Sequence, residues 1–145
     1  MAEKKYAHCF QKAPLKQPRN PEVVQPVINM VGERDGEGAN LVITRSWITQ
    51  PVKMLKEPHQ HDHDQFLIFA GGNPLDVSEF DAEVELTLGL EGETHTITEP
   101  TLVHIPPGTM HGPMNFTRVG KPVEFLDIFL HPAYIRKTPE GKIIP

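Results

Sequence analysis

An all-β domain, closed as a sandwich or barrel, is what this sequence predicts, and three observations carry that expectation. Short segments rich in β-branched and aromatic residues recur from residue 40 onward. Fifteen prolines and 11 glycines in 145 residues leave no room for long helices. In "AEVELTL", Val84, Leu86 and Leu88 alternate with Glu83, Glu85 and Thr87, the period of a strand with one wet face.

Taken in order, residues 1–39 read as an extended arm and a loop. "KAPLKQPRNPEVVQP" has a proline every few residues, which fixes φ and removes backbone donors, and "GERDGEG" is a polar loop. The barrel is expected over 40–131. Its segments are "NLVITRSWI" (40–48), "PVKML" (51–55), "QFLIFA" (65–70), "AEVELTL" (82–88), "THTIT" (94–98), "TLVHIP" (101–106) and "PVEFLDIFL" (122–130). Turn signals separate them, among them "GGNP", "GLEGE", "PPG" and "VGKP". "QFLIFA" and "FLDIF" are apolar on both parities, so each needs a cover outside the barrel, either the arm or a second subunit. Residues 132–145 form a tail, frayed or docked.

Composition narrows the function classes. A net charge of −5 argues against nucleic acid or an anionic membrane as partner, since both call for a basic face. No apolar run is long enough to span a bilayer, and the first residues lack the apolar stretch of a secretory signal. The single cysteine, Cys9, has no intrachain partner, and the simplest compartment is the cytoplasm.

Histidine is the residue that stands out. Three of the eight fall within five positions, in "EPHQHDHDQFLIFAGG" (57–72). In an extended chain His59, His61 and His63 share a parity with Gln65, and imidazoles two positions apart can close around one ion. Imidazole suits several first-row metals. Parity alone pairs His61 with His63 as readily as with His59, and a further ligand must come from elsewhere. "PPGTMHGPMN" (106–115) offers one: a stiff turn, then His111 at the start of the next strand.

The spacings within these two stretches are specific. The first runs His59, Gln60, His61, three residues, Gln65, six residues, Gly72; the second places Pro106, Gly108, His111 and Asn115 as P-x-G-x-x-H-x-x-x-N. Together they resemble the paired motifs of the cupin superfamily over roughly residues 40–131. Two positions depart from the pattern. Gln65 takes the place of the first motif's glutamate, and Pro100 stands where the second motif usually begins with glycine. The resemblance implies a jelly-roll β-barrel. It also implies one divalent transition metal per chain (Fe, Mn, Ni, Zn or Cu), with His59, His61 and His111 as ligands and Gln65 at the fourth place. The register leaves His63 as a neighbour.

An amide oxygen is a weaker donor than a carboxylate and cannot act as a base, so the departure at Gln65 bears on chemistry as well as affinity. Asp62 and Asp64 have the other parity and read as solvated residues or as acceptors behind a ligand imidazole. Arg45 shares a face with Leu41, Ile43 and Trp47; were that face the interior, it would be a cation near the pocket, while the outer face is the blander placement. His95 and His104 read as structural, His131 as the end of the last strand, and His8 beside Cys9 as an unremarkable pair in the arm. The function classes that follow are a metal-dependent enzyme on a small oxygen-rich molecule (dioxygenase, decarboxylase, lyase or isomerase), a non-catalytic binding or sensing module, and a metal-free scaffold. A homodimer is expected from the two-faced apolar strands and the arm.

Overall fold

The computed structural model describes residues 4–144. The first three residues of the expected arm and the last of the expected tail lie outside the described residues. In chain order the strands are β1 (Leu15–Lys16), β2 (Val27–Val31), β3 (Val42–Ile48), β4 (Val52–Leu55), β5 (Gln65–Gly71), β6 (Ala82–Leu88), β7 (Glu93–Ile97), β8 (Thr101–Ile105), β9 (His111–Val119), β10 (Val123–Phe129), β11 (Arg136–Lys137) and β12 (Ile143–Ile144). The helical content is one 3-10 turn, Ala7–Cys9, and one α-turn, Gly32–Asp35, set in the polar loop.

Two antiparallel sheets face each other. One has the order β1-β2-β3-β10-β5-β8, the other β4-β9-β6-β7. Non-consecutive neighbours in both sheets are the mark of a jelly roll rather than a meander. Alternation decides what fills the space between them. Ala82, Val84 and Leu86 of β6 point inward and are buried, as are Leu67 and Phe69 of β5 and Val123 and Phe125 of β10. Phe69 and Phe125 from one sheet meet Phe116 from the other, with ring centroids 5.0 to 6.0 Å apart.

Strand register gives the barrel a packed end and an open end. Val123 pairs with Gly71 and Ile48, while Phe129 pairs with Gln65 and Val42. Ile48, Phe69, Phe116 and Val123 are fully buried and close the first end. The second end, where Gln65, Val42 and Phe129 lie, opens into a cavity of about 590 Å³.

The first 39 residues depart from expectation. Residues 1–39 are not all arm and loop, because β1 and β2 add two strands to the six-stranded sheet, and Val23 and Val27 join the core. Nor does this segment cover β5. It enters the sheet at the far edge, with β3 and β10 in between, and residues 16–20 line the cavity instead. The tail is docked: β11 and β12 pair, and Lys137 makes a bridge to Gln60. The histidine segment is not a regular strand. His59 bridges to His111 on one side and Gln60 to Lys137 on the other, so each residue is held by a different neighbour. No helix of the described residues is long and apolar enough to cross a membrane.

Candidate metal centre

His59 and His111 are joined by two backbone hydrogen bonds, N–H to O in both directions at 2.9 Å. This pairing brings together imidazoles fifty-two positions apart in the chain, with ring centroids 4.3 Å apart; His61 lies 5.0 Å from His59 and 5.1 Å from His111. The turn before His111 is stitched to the first segment as well, since the Gly108 N–H donates to the His61 carbonyl at 2.7 Å. Gly108 has φ +77°, a region that side chains disfavour, and this lets the chain reverse directly under His61.

All three rings are buried, and one nitrogen of each lies within 4.8 Å of the corresponding atoms of the others. Their outer nitrogens share a pattern. His61 Nδ1 donates to the Ile135 carbonyl at 2.5 Å and His111 Nδ1 to Thr109 at 3.0 Å, while His59 Nδ1 faces the Glu57 carbonyl at 3.5 Å. A carbonyl can only accept, so each contact places the proton on Nδ1 and leaves the Nε2 lone pair free. Nε2 of His61 and of His111 is buried with no protein partner. Burial, with His111 and His61 as neighbours, lowers the pKa of His59 to about 3, and burial lowers that of His61 to about 4. Burial pushes His111 in the same direction. Neutral, convergent imidazoles with unsatisfied lone pairs are the donor set a first-row divalent ion takes.

Gln65 sits beside them at the start of β5, 3% exposed. Its Nε2 donates to Asp127 Oδ1 at 2.8 Å, and its Oε1 is buried without a partner. Asp127, in β10 between the inward-facing Phe125 and Phe129, was not singled out by the sequence. It lies on the cavity wall, half-buried. Desolvation raises its pKa to about 7, against the lowering effect of the Gln65 amide. The signal was its parity: residues 125, 127 and 129 share one face. Leu126 and Ile128 made the other parity equally apolar, so the face was undetermined.

The remaining candidates fall outside the triad. His63 packs behind His61, with centroids 5.0 Å apart, against Phe129 and His131. Arg45 is on the outer face of β3, bonded to Glu124 at 2.8 Å and stacked over Trp47; it is not near the cavity, because Thr44 and Ser46 hold the inward parity. Asp62 pairs with Lys137 and Asp64 with His104, so neither backs a ligand imidazole. His95 pairs with Glu93 on the surface, His131 Nδ1 contacts the Ala133 backbone, and His8 lies 3.6 Å from the Cys9 sulfur in an exposed position.

No family model and no curated protein matches the sequence. Solved structures do match the fold. Oxalate decarboxylase from Lactobacillus farciminis, in its formate complex, superposes with a TM-score of 0.58 at 15% identity, over 86% of this chain and 33% of its own. Bacillus subtilis oxalate decarboxylase, in a structure concerned with its Mn(II) centres, gives 0.57 at 14% identity, over 86% and 29%. The chain has the cupin fold. It spans about a third of the length of the decarboxylase chains it matches. Within this cupin barrel the wall of the cavity is mixed. Val27, Leu67, Met54 and Phe125 supply apolar surface, and Asn29, Thr44, Ser46, Asp127, Tyr134 and Arg136 supply polar groups. Tyr134 and Arg136 come from the tail and carried no sequence signal, since nothing in "AYIRKTPEG" marks it as part of a cupin site.

Proposed function

We propose that this cupin is a metal-dependent enzyme acting on a small oxygen-rich organic molecule held in the barrel. One divalent transition ion would be bound by His59, His61 and His111, with the Gln65 amide oxygen as fourth donor. The observation that carries this reading is the convergence of three buried imidazoles with nitrogens within 4.8 Å of one another, beside a cavity that His59 and Gln65 line, with Nε2 of His61 and of His111 unsatisfied by any protein group. Bound there, such an ion supplies Lewis-acid polarisation of a substrate oxygen, and an imidazole-rich set leaves it its positive charge.

The chain's own groups support turnover rather than storage. Gln65 cannot take a proton, but Asp127 returns a carboxyl group to the same corner of the cavity, 2.8 Å from the Gln65 amide. Held near neutrality, a carboxyl group can both accept and donate a proton at working pH. The apolar part of the wall lowers the local dielectric and strengthens the polar contacts beside it. Oxalate decarboxylase shows that this fold can accommodate oxalate chemistry with manganese, at an identity too low to transfer the substrate.

A second reading, a binding module without turnover, is favoured by the neutral Gln65 itself. The two are separated by supplying the metal-loaded protein with small hydroxy- and keto-acids and following product or oxygen uptake. Elemental analysis comes first: protein purified without chelator is expected to hold about one transition metal per chain, lost in His59→Ala and in His111→Ala. Wild-type protein devoid of metal after growth in supplemented medium would leave only the scaffold reading. We further propose a homodimer in the cytoplasm. The apolar outer face of the six-stranded sheet and the single unpaired cysteine support this.

A further inference from the structure

The tail segment 134–138 reaches the cavity by a simple alternation. Its odd residues hold the histidine segment: the Gln60 N–H donates to the Lys137 carbonyl at 2.9 Å, the Lys137 N–H to the Gln60 carbonyl at 2.7 Å, and the Ile135 carbonyl receives the His61 ring. The Lys137 ammonium also pairs with Asp62. Its even residues, Tyr134, Arg136 and Thr138, therefore turn the other way and line the cavity.

Arg136 is the unusual member. Its Nε is buried and has no hydrogen-bond partner, and among the described residues no carboxylate lies within ion-pair distance of it. Three acidic residues, Glu57, Asp127 and Glu140, line the same cavity without pairing with Arg136. Lys16, Arg19 and Lys56 also line this wall, and the Arg19 guanidinium lies over the Tyr134 ring, 5.5 Å from its centroid; none of the three has a buried nitrogen left unsatisfied. An arginine never sheds its charge, and a desolvated cation without a counter-charge is costly. A half-buried guanidinium on a segment held by four backbone and side-chain tethers, with its Nε unsatisfied and no carboxylate paired to it, is a receptor for an anion.

We propose that Arg136 is the anion-binding residue of the barrel and that the ligand is a carboxylic acid with an apolar body. The carboxylate sits on the guanidinium and the body lies against Val27, Leu67 and Phe125. One guanidinium fork satisfies one planar carboxylate by two parallel hydrogen bonds. A phosphate dianion needs more donors and would meet Asp127 and Glu57 across the cavity. The cavity volume of about 590 Å³ takes a ligand much larger than formate or acetate. This assignment rests on the barrel being the ligand site of the proposed enzyme, and it does not depend on the metal.

The test is calorimetric titration of the full chain, with and without added Zn²⁺, using benzoate, mandelate and hexanoate, the uncharged benzamide, and phenyl phosphate. At least one carboxylate is expected to bind ten-fold or more tightly than benzamide. Arg136→Gln should abolish that preference and leave benzamide binding unchanged, and Arg136→Lys should keep part of it. Thermal unfolding of each variant, together with unchanged benzamide binding, shows that the barrel is intact. Carboxylates binding no better than benzamide, an Arg136→Gln protein that keeps the preference, or phenyl phosphate outcompeting every carboxylate would each overturn the assignment. Metal content measured on the same samples keeps the two ideas apart. A metal-free wild-type protein that still selects carboxylates through Arg136 removes the metal centre and leaves this inference standing.

Discussion

Gln65 occupies a position where a carboxylate would bind metal more tightly, and Asp127 on the neighbouring strand is bonded to it at 2.8 Å. The pair turns the Gln65 amide so that Oε1 faces inward without a partner. It also leaves an acid group in a cavity where ionisation is disfavoured. The sign of the pH effect follows. Desolvation raises the Asp127 pKa from the 3.8 of a free carboxyl to about 7, so between those values the folded state holds a proton that the unfolded chain has lost. Its contribution to stability is present at low pH and disappears as pH rises through 7. In metal-free protein, Asp127→Asn is expected to be more stable than wild type at pH 8 by ~1–2 kcal/mol, well under the ceiling of about 4 because cavity water screens the charge. At about pH 3.5, where the carboxyl is protonated in both states, the difference should shrink toward zero in urea unfolding. Equal stabilities at pH 8 would show that Asp127 ionises freely. Spacing brought out His59, His61 and His63 together, because an i, i+2 repeat is a local pattern, and the resemblance of the two motifs to those of cupins implied His59, His61 and His111. Asp127 could not be picked out, since a strand apolar on both faces hides which parity is inside.

At the level of elements, β9 explains both how the site forms and why part of it escaped the sequence. "HGPMNFTRV" has a glycine and a proline directly after its first histidine, residues that mark turns, yet it is a nine-residue strand paired to β4 and β6. Pairing on both sides outweighs local preference. Gly112, at φ +109°, brings the chain within contact of the Glu57 carbonyl, where a Cβ would lie 2.8 Å away. Gly108 is the gentler case, because no atom stands closer than 4.0 Å to a Cβ built there. Gly108→Ala therefore tests the backbone alone: a loss of about 1 kcal/mol in denaturant unfolding is expected from the left-handed conformation. Metal content should stay at the wild-type value, because the N–H to His61 is retained. A loss of metal in that variant would mean that the turn sets the ligand geometry more tightly than its hydrogen bond implies. The tail was legible only as a short polar segment. Its docking depends on bridges to Gln60, a contact between residues more than seventy positions apart.

For the whole molecule, the outer face of the six-stranded sheet sets the next expectation. Phe66 and Ile68 of β5 lie beside Leu126 and Ile128 of β10, and Leu102 on β8 is 62% exposed. The N-terminal segment runs along the opposite edge and leaves this apolar surface uncovered. A second copy of the chain is the proposed cover. Light scattering is expected to give twice the chain mass of 16.3 kDa, and Ile68→Glu to give the monomer. A wild-type monomer at high micromolar concentration would remove the dimer.

By itself the sequence determined the class of fold and the chemistry on offer. Alternation, turn residues and the two histidine motifs are local patterns, and local patterns survive in one dimension. Only the tertiary structure decided which groups share the cavity. The side a strand faces, the edge at which the arm enters and the place where the tail docks are all set by pairings between distant segments. Arg136 and Asp127 share a cavity with His59 and Gln65 because strand pairing, parity and the docking of the tail put them there.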